Sequence, residues 1–144
     1  MIIRLGLFYL GALGFLISLY FTLVYHNKLR PDQWFIPRIC RMDESTCRYI
    51  IRTPYSKVLG VQNSVLGLIY YVCVMAIALG SSVQATGLFY ELVIAISIGT
   101  FLFSIYLTYS LLVKLRMNCI LCFASHALNM LIMLLLIANA SLDG

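Results

Sequence analysis

Apolar residues run almost unbroken through four stretches of the chain, with one long polar interruption between the first and second. A bilayer core takes about 20 mainly apolar residues per helix. The first stretch, about residues 2–25, holds one charge, Arg4, at its start. It is too long for a signal-peptide core, and no small-residue cleavage site follows it, so it reads as an uncleaved span. The second runs over about 61–80 and the third over about 87–113, with Glu91 in its first turns. The fourth covers about 119–138. The pattern predicts an all-α integral membrane protein, a bundle of four transmembrane helices. Both termini then lie on one side (face A), and the long loop of residues 26–60 lies on the other (face B). The 144 residues leave room for a single membrane domain and no second soluble module. There is no internal repeat and no low-complexity tract.

Composition agrees with this pattern. Hydrophobic residues make up 62% of the chain and charged ones 10%, against about 45–50% and about 25% in soluble domains. Too little polar surface remains to cover a water-soluble fold. The net charge is +5, and in so apolar a chain it points to loops near a bilayer, not to a nucleic-acid surface. The loop carries Lys28, Arg30, Arg38, Arg41, Arg48, Arg52 and Lys57. With Lys114 and Arg116, face B holds nine of the ten Lys and Arg, and face A holds only Arg4. By the positive-inside rule alone, face B would be cytoplasmic. Pro31 and Pro54 mark turns in the loop. Trp34, Phe35 and Ile36 either lie at the headgroup level or cover the bundle end.

The five cysteines add chemistry. Cys119-Ile120-Leu121-Cys122 is a CxxC that opens the fourth span, just after Lys114 and Arg116. By itself a CxxC fits zinc, redox chemistry or chance. At a helix N-terminus, the macrodipole, unpaired N–H groups and nearby cations all favour a thiolate, the attacking species in disulfide exchange. Cys40 and Cys47 lie in the loop, so both pairs belong to face B. An exposed pair beside a half-buried pair suits a relay from a soluble dithiol. The alternatives are a static loop disulfide with an incidental CxxC, or a four-thiolate zinc site. Cys73, mid-span, reads as packing.

Below the CxxC, Cys119, Cys122, His126 and Asn129 follow i, i+3, i+7, i+10, one stripe of the fourth helix. Ser125 borders it, and Gln62, Asn63 and Ser64 start the second span on the same side. An apolar pocket with a few hydrogen-bond donors, near a thiol and open to lipid, suits a quinone. Asn63 and His126 are the candidate ligand residues. Ser64 and Asn129 read as helix-to-helix hydrogen bonders, and His26 as an ordinary interface residue.

These features resemble the vitamin K epoxide reductase family over nearly the whole chain. The stretch Cys47-Arg-Tyr-Ile-Ile-Arg-Thr-Pro-Tyr-Ser-Lys-Val-Leu-Gly-Val-Gln-Asn-Ser-Val-Leu-Gly67 and the CxxC carry the likeness, which is greatest to small single-domain prokaryotic members. The resemblance implies that Cys40 and Cys47 shuttle electrons, with Cys47 forming a mixed disulfide with Cys119. It implies that Cys122 reacts with the quinone, and that Asn63 hydrogen-bonds a carbonyl. Thr53 stands where many members have serine, and His126 where the vertebrate enzymes have tyrosine. The latter change weakens the case for vitamin K epoxide as the substrate. The expected function is a membrane thiol:quinone oxidoreductase that makes disulfides. A reduced thioredoxin-like protein would be the partner and menaquinone or ubiquinone the acceptor, with no metal expected. Alternatives are a quinone or vitamin K epoxide reductase, and a non-catalytic metal-binding or structural membrane protein. The resemblance places face B outside the inner membrane, against the charge count.

Overall fold

In a computed structural model, residues 1–28, 52–58, 60–80, 87–116 and 119–143 are described. Cys40, Cys47, the Trp34–Ile36 cluster and the connection 81–86 lie outside them.

Helix α1 spans Ile2–Tyr25. Its end is a Schellman closure. Asn27 takes the left-handed conformation (φ 55°), and the N–H groups of Asn27 and Lys28 donate to the carbonyls of Val24 and Leu23 at 3.0 and 2.9 Å. Asparagine tolerates that conformation better than most residues and so stops the helix there. Thr53 is extended, as the residue before proline must be, and Pro54 opens a 3-10 turn, Pro54–Ser56. A two-stranded hairpin follows. Lys57–Val58 (β1) pairs antiparallel with Val61–Gln62 (β2), in the register Lys57 to Gln62 and Val58 to Val61. Gly60, at φ +86°, takes the turn between them.

Helix α2, Asn63–Leu79, follows directly. Helix α3, Gly87–Tyr109, runs on into a π-helical turn, Ser110–Leu115. It stops at Arg116, which is left-handed at φ 49°. Helix α4 is Ile120–Asp143. Three helical stretches, Ile2–Tyr25, Gly87–Leu115 and Ile120–Leu142, are long and apolar enough to cross a membrane, and α2 is a shorter apolar helix. Two boundaries differ from expectation. The second apolar stretch begins as a strand, because Val61 and Gln62 pair with β1. The fourth runs past Ala138, because no glycine or proline interrupts it before Gly144 and Asn139 is satisfied by donating to the Tyr90 hydroxyl at 3.2 Å.

Leu7, Tyr70, Tyr71, Val74, Ile77, Val93, Ile132 and Leu136 form a core drawn from all four helices. Helix α1 lies closest to α2, because small residues let the two backbones approach. A side chain at Gly14 would collide with the Tyr71 ring, and one at Gly67 would lie 2.7 Å from the Ser18 hydroxyl. By contrast, α2 and α3 scarcely touch. Their main tie is the hydrogen bond between the Tyr70 and Ser97 hydroxyls, 2.9 Å apart. Leu13, Leu16, Ile69, Leu88, Leu102 and Leu134 are all exposed, an outer surface suited to lipid.

Candidate active site

The fourth helix positions the CxxC. The Cys119 carbonyl accepts the Phe123 N–H at 3.0 Å, so Cys119 is the helix N-cap. Its Sγ accepts the backbone N–H of Cys122 at 3.2 Å. A serine or aspartate oxygen usually fills this place, satisfying an N–H that the helix itself leaves unpaired. The same N–H and the positive end of the helix support negative charge on that sulfur. Cys119 and Cys122 form a disulfide, with Cα atoms 5.1 Å apart.

The two sulfurs differ in surroundings. Cys119 is fully buried. Cys122 borders a cavity of about 660 Å³, enclosed by all four helices together with the 3-10 turn and Gln62. His126, one turn further along α4, lines it, as do Asn63, Thr53, Tyr55 and Ser110. Between α2 and α3 the lining includes Leu66, Ile69 and Ile96, which are also exposed to the outside. The sparse contact between those helices leaves a lipid-facing seam beside the cavity.

Most polar groups in the spans are satisfied. Ser64 accepts a hydrogen bond from Thr22 at 3.1 Å. The Tyr71 hydroxyl donates to Asn129 at 2.6 Å, and Asn129 donates to Ser104 at 3.2 Å. Ser64 and Asn129 thus tie helices together. Ser97, Thr100 and Thr108 donate back to the carbonyls four residues earlier. Against this pattern, both ring nitrogens of His126, the Ser110 hydroxyl and Gln62 Oε1 are buried with no hydrogen-bond partner. Buried polar groups are rarely left so, and all three residues line the one cavity. Its volume falls within the usual range for ligand pockets, about 300–1,000 Å³. A quinone ring fits these walls: His126 and Ser110 can donate to a carbonyl, and Asn63 lines the same space.

Lys114 differs from expectation. Its ammonium sits over the Tyr55 ring, 5.2 Å from the centroid, and 6.0 Å from that of Tyr106. This holds the 3-10 turn to the end of α3, while the charge support seen at Cys119 Sγ comes from a backbone N–H. Cys73 also borders the cavity, besides packing against the core, and it is unpaired. Among the described residues, no group of three or more His, Cys, Asp or Glu is placed to hold a metal ion.

Sequence reasoning missed Ser110 and singled out Asn63 rather than its neighbour Gln62. Ser97, Thr100 and Ser104 repeat at helical spacing and mark the inner face of α3, a signal present in the sequence. Ser110 breaks that spacing, because the π-helical turn that brings it to the cavity leaves no periodic trace.

A disulfide at a helix start beside a largely apolar cavity, in a bundle of apolar helices, suits a redox protein of the membrane. The family model described as the vitamin K epoxide reductase family matches residues 5–137, and the chain belongs to that family. No curated protein gives a match. Membership makes the chain a multi-pass membrane oxidoreductase of the disulfide and quinone redox class.

Proposed function

We propose that the protein is a thiol:quinone oxidoreductase that makes disulfides, with α1 to α4 all crossing the inner membrane as one domain. The observation that carries this reading is the Cys119–Cys122 disulfide with one sulfur buried and the other on the cavity wall. Such a pair can receive electrons on one side and pass them on the other. A reduced thioredoxin-like protein gives electrons to Cys40 and Cys47. A thiolate of that pair, Cys47 by family resemblance, attacks Cys119 and displaces Cys122, which takes up a proton to become a thiol; Cys40 then displaces Cys119, leaving the second thiol and closing the Cys40–Cys47 disulfide. Cys122 then faces the cavity. The quinone, menaquinone or ubiquinone, supplies the two-electron sink when bound. His126 and Asn63 hold it, with Ser110 as a further donor. Face B lies on the outer side, where disulfides persist.

Purified protein given a reduced thioredoxin-like dithiol and a soluble quinone should reduce the quinone, and Cys122→Ala should abolish turnover. Full activity in Cys122→Ala would refute the reading. Labelling Cys40 and Cys47 in intact cells with a membrane-impermeant thiol reagent tests the orientation. Labelling only after lysis would place face B in the cytoplasm.

A further inference from the structure

The reaction proposed above moves protons as well as electrons. Two thiols lose two protons and two electrons, a disulfide forms, and the acceptor takes up both protons to become a hydroquinone. The cavity offers few groups able to carry them. Among the described residues, no Asp, Glu, Lys or Arg lines it. Helices α1 and α3 contribute no titratable side chain to its wall, and the 3-10 turn contributes Tyr55. Helix α2 contributes Tyr70, Tyr71 and Cys73. The Tyr71 hydroxyl is committed to Asn129, and that of Tyr70 pairs with Ser97. Tyr55 lies under the Lys114 ammonium. On α4 there remain Cys122 and His126.

His126 differs from the other titratable groups there. Both of its ring nitrogens are buried and unbonded, so one can donate while the other accepts. It follows Cys122 by four residues, about 6 Å along the axis of the same helix face. Side chains on a helix lean towards its N-terminus, which carries the imidazole towards Cys122. Among the described lining residues, the cysteines and His126 carry the groups whose ordinary protonation changes lie nearest neutral pH.

We propose that His126 is a catalytic proton carrier, taking the proton from the Cys122 thiol and delivering it to the oxygen of the quinone acceptor. This rests on the thiol:quinone reading and adds the proton path to it. As His126 removes the Cys122 proton, the thiolate gains the charge to pass on its electrons. Cys119, whose sulfur already receives a backbone N–H, then closes the S–S bond. Its proton is the second to be taken up, by way of the same imidazole. The two electrons from the dithiol and the two protons reach one acceptor, and nothing else is consumed. A free imidazole changes protonation near neutral pH, a free phenol only well above it.

The test has a readout that needs no quinone. In a full-length chain with Cys40, Cys47 and Cys119 changed to Ser and Cys73 to Ala, Cys122 is the only thiol. Its alkylation by iodoacetamide is followed against pH, with and without His126→Gln. The proposal expects alkylation near pH 7 to fall about ten-fold in His126→Gln, as thiolate support is lost. In the otherwise native chain, kcat for quinone reduction should fall roughly 100-fold, the usual scale of general acid–base catalysis, with KM nearly unchanged. His126→Asn repeats both measurements should the glutamine variant fail to fold. A solvent deuterium isotope effect on kcat of the unaltered protein is expected as well.

Unchanged alkylation together with a raised KM alone would show that His126 only holds the ring. That would overturn the proton role and leave the oxidoreductase reading intact. Absence of any solvent isotope effect would overturn it too. Alkylation that depends on His126 in a protein unable to reduce any quinone would instead refute the thiol:quinone reading, and delivery to a quinone with it.

Discussion

Replacing Gly14 by alanine adds one methyl group where the protein has no room for it. That methyl would overlap the Tyr71 ring, with Cδ1 only 2.7 Å away and two other ring carbons closer still. Carbon atoms rest about 3.5–4.0 Å apart, so ring or helix must move by an ångström or more. Tyr71 is buried and surrounded by core side chains, and overpacking of this kind costs about 1–3 kcal/mol. Displacing the ring also strains the 2.6 Å hydrogen bond from Tyr71 to Asn129. Such bonds in membrane helices contribute about 0.6 kcal/mol on average and about 1.7 at most. Against this, alanine favours the helix by about 1 kcal/mol relative to glycine. The net expectation is a loss of about 1–3 kcal/mol, read by reversible unfolding in mixed micelles or as a lowered melting temperature in detergent. Tyr71→Leu in the same chain should relieve most of the added cost, whereas Tyr71→Phe, which keeps the ring, should not. A Gly14→Ala variant within about 0.5 kcal/mol of the unaltered protein, roughly a twofold change in the unfolding equilibrium, would refute the reasoning. So would strict additivity with Tyr71→Leu.

Gly99 offers the opposite case: it lines the cavity, and an added Cβ meets nothing within 4 Å. Gly99→Phe should leave stability unchanged or slightly raised while weakening quinone binding several-fold, measured as KM. Cys73→Ala should retain quinone reduction, separating this second cavity-lining cysteine from Cys122; a loss comparable to that of Cys122→Ala would contradict this. A double-mutant cycle of Tyr70→Phe and Ser97→Ala should give a coupling of about 0.6 kcal/mol, measured by unfolding in detergent micelles. Lys114→Met removes a cation held over two rings, worth about 0.5–1 kcal/mol at partly exposed sites, and should speed hydrogen exchange at the Ser56 amide, which is bonded to the Thr53 carbonyl at 3.1 Å.

What could be read from the sequence follows from which forces leave a periodic mark. Long apolar runs announce the helices because a bilayer requires length and apolarity, and α1 coincides with its predicted range. The stripe of Cys122, His126 and Asn129 was legible because 3.6-residue spacing sets one face. Where the backbone departs from regular spacing, the reading failed. The hairpin that turns Val61 and Gln62 into a strand is too short to alternate visibly. The π-helical turn that rotates Ser110 inward inserts no unusual residue. Lys114 stands near Cys119 along the chain, while its ring partners, Tyr106 about two turns earlier and Tyr55 in a distant segment, leave no mark in that spacing.

The buried polar groups of the bundle divide by whether a second helix can reach them. Tyr71, Asn129 and Ser104 satisfy one another across α2, α4 and α3, and Thr22 meets Ser64 across α1 and α2. Each of these bonds joins two helices. His126, Ser110 and Gln62 meet no such partner around the cavity that the sparse α2–α3 contact leaves open. An all-apolar bundle could have closed that seam with larger side chains, but Gly99 and Thr100 stand on the α3 side of the cavity. Leaving three polar groups unpaired costs about 1–3 kcal/mol each. A site built to receive a polar ring recovers that cost only when the ring is present. Ligand binding should therefore raise the melting temperature of the unaltered protein more than that of His126→Leu, in which one unpaired group is already gone. Equal shifts in both, at a quinone concentration that saturates each, would mean that the imidazole takes no part in holding the ring.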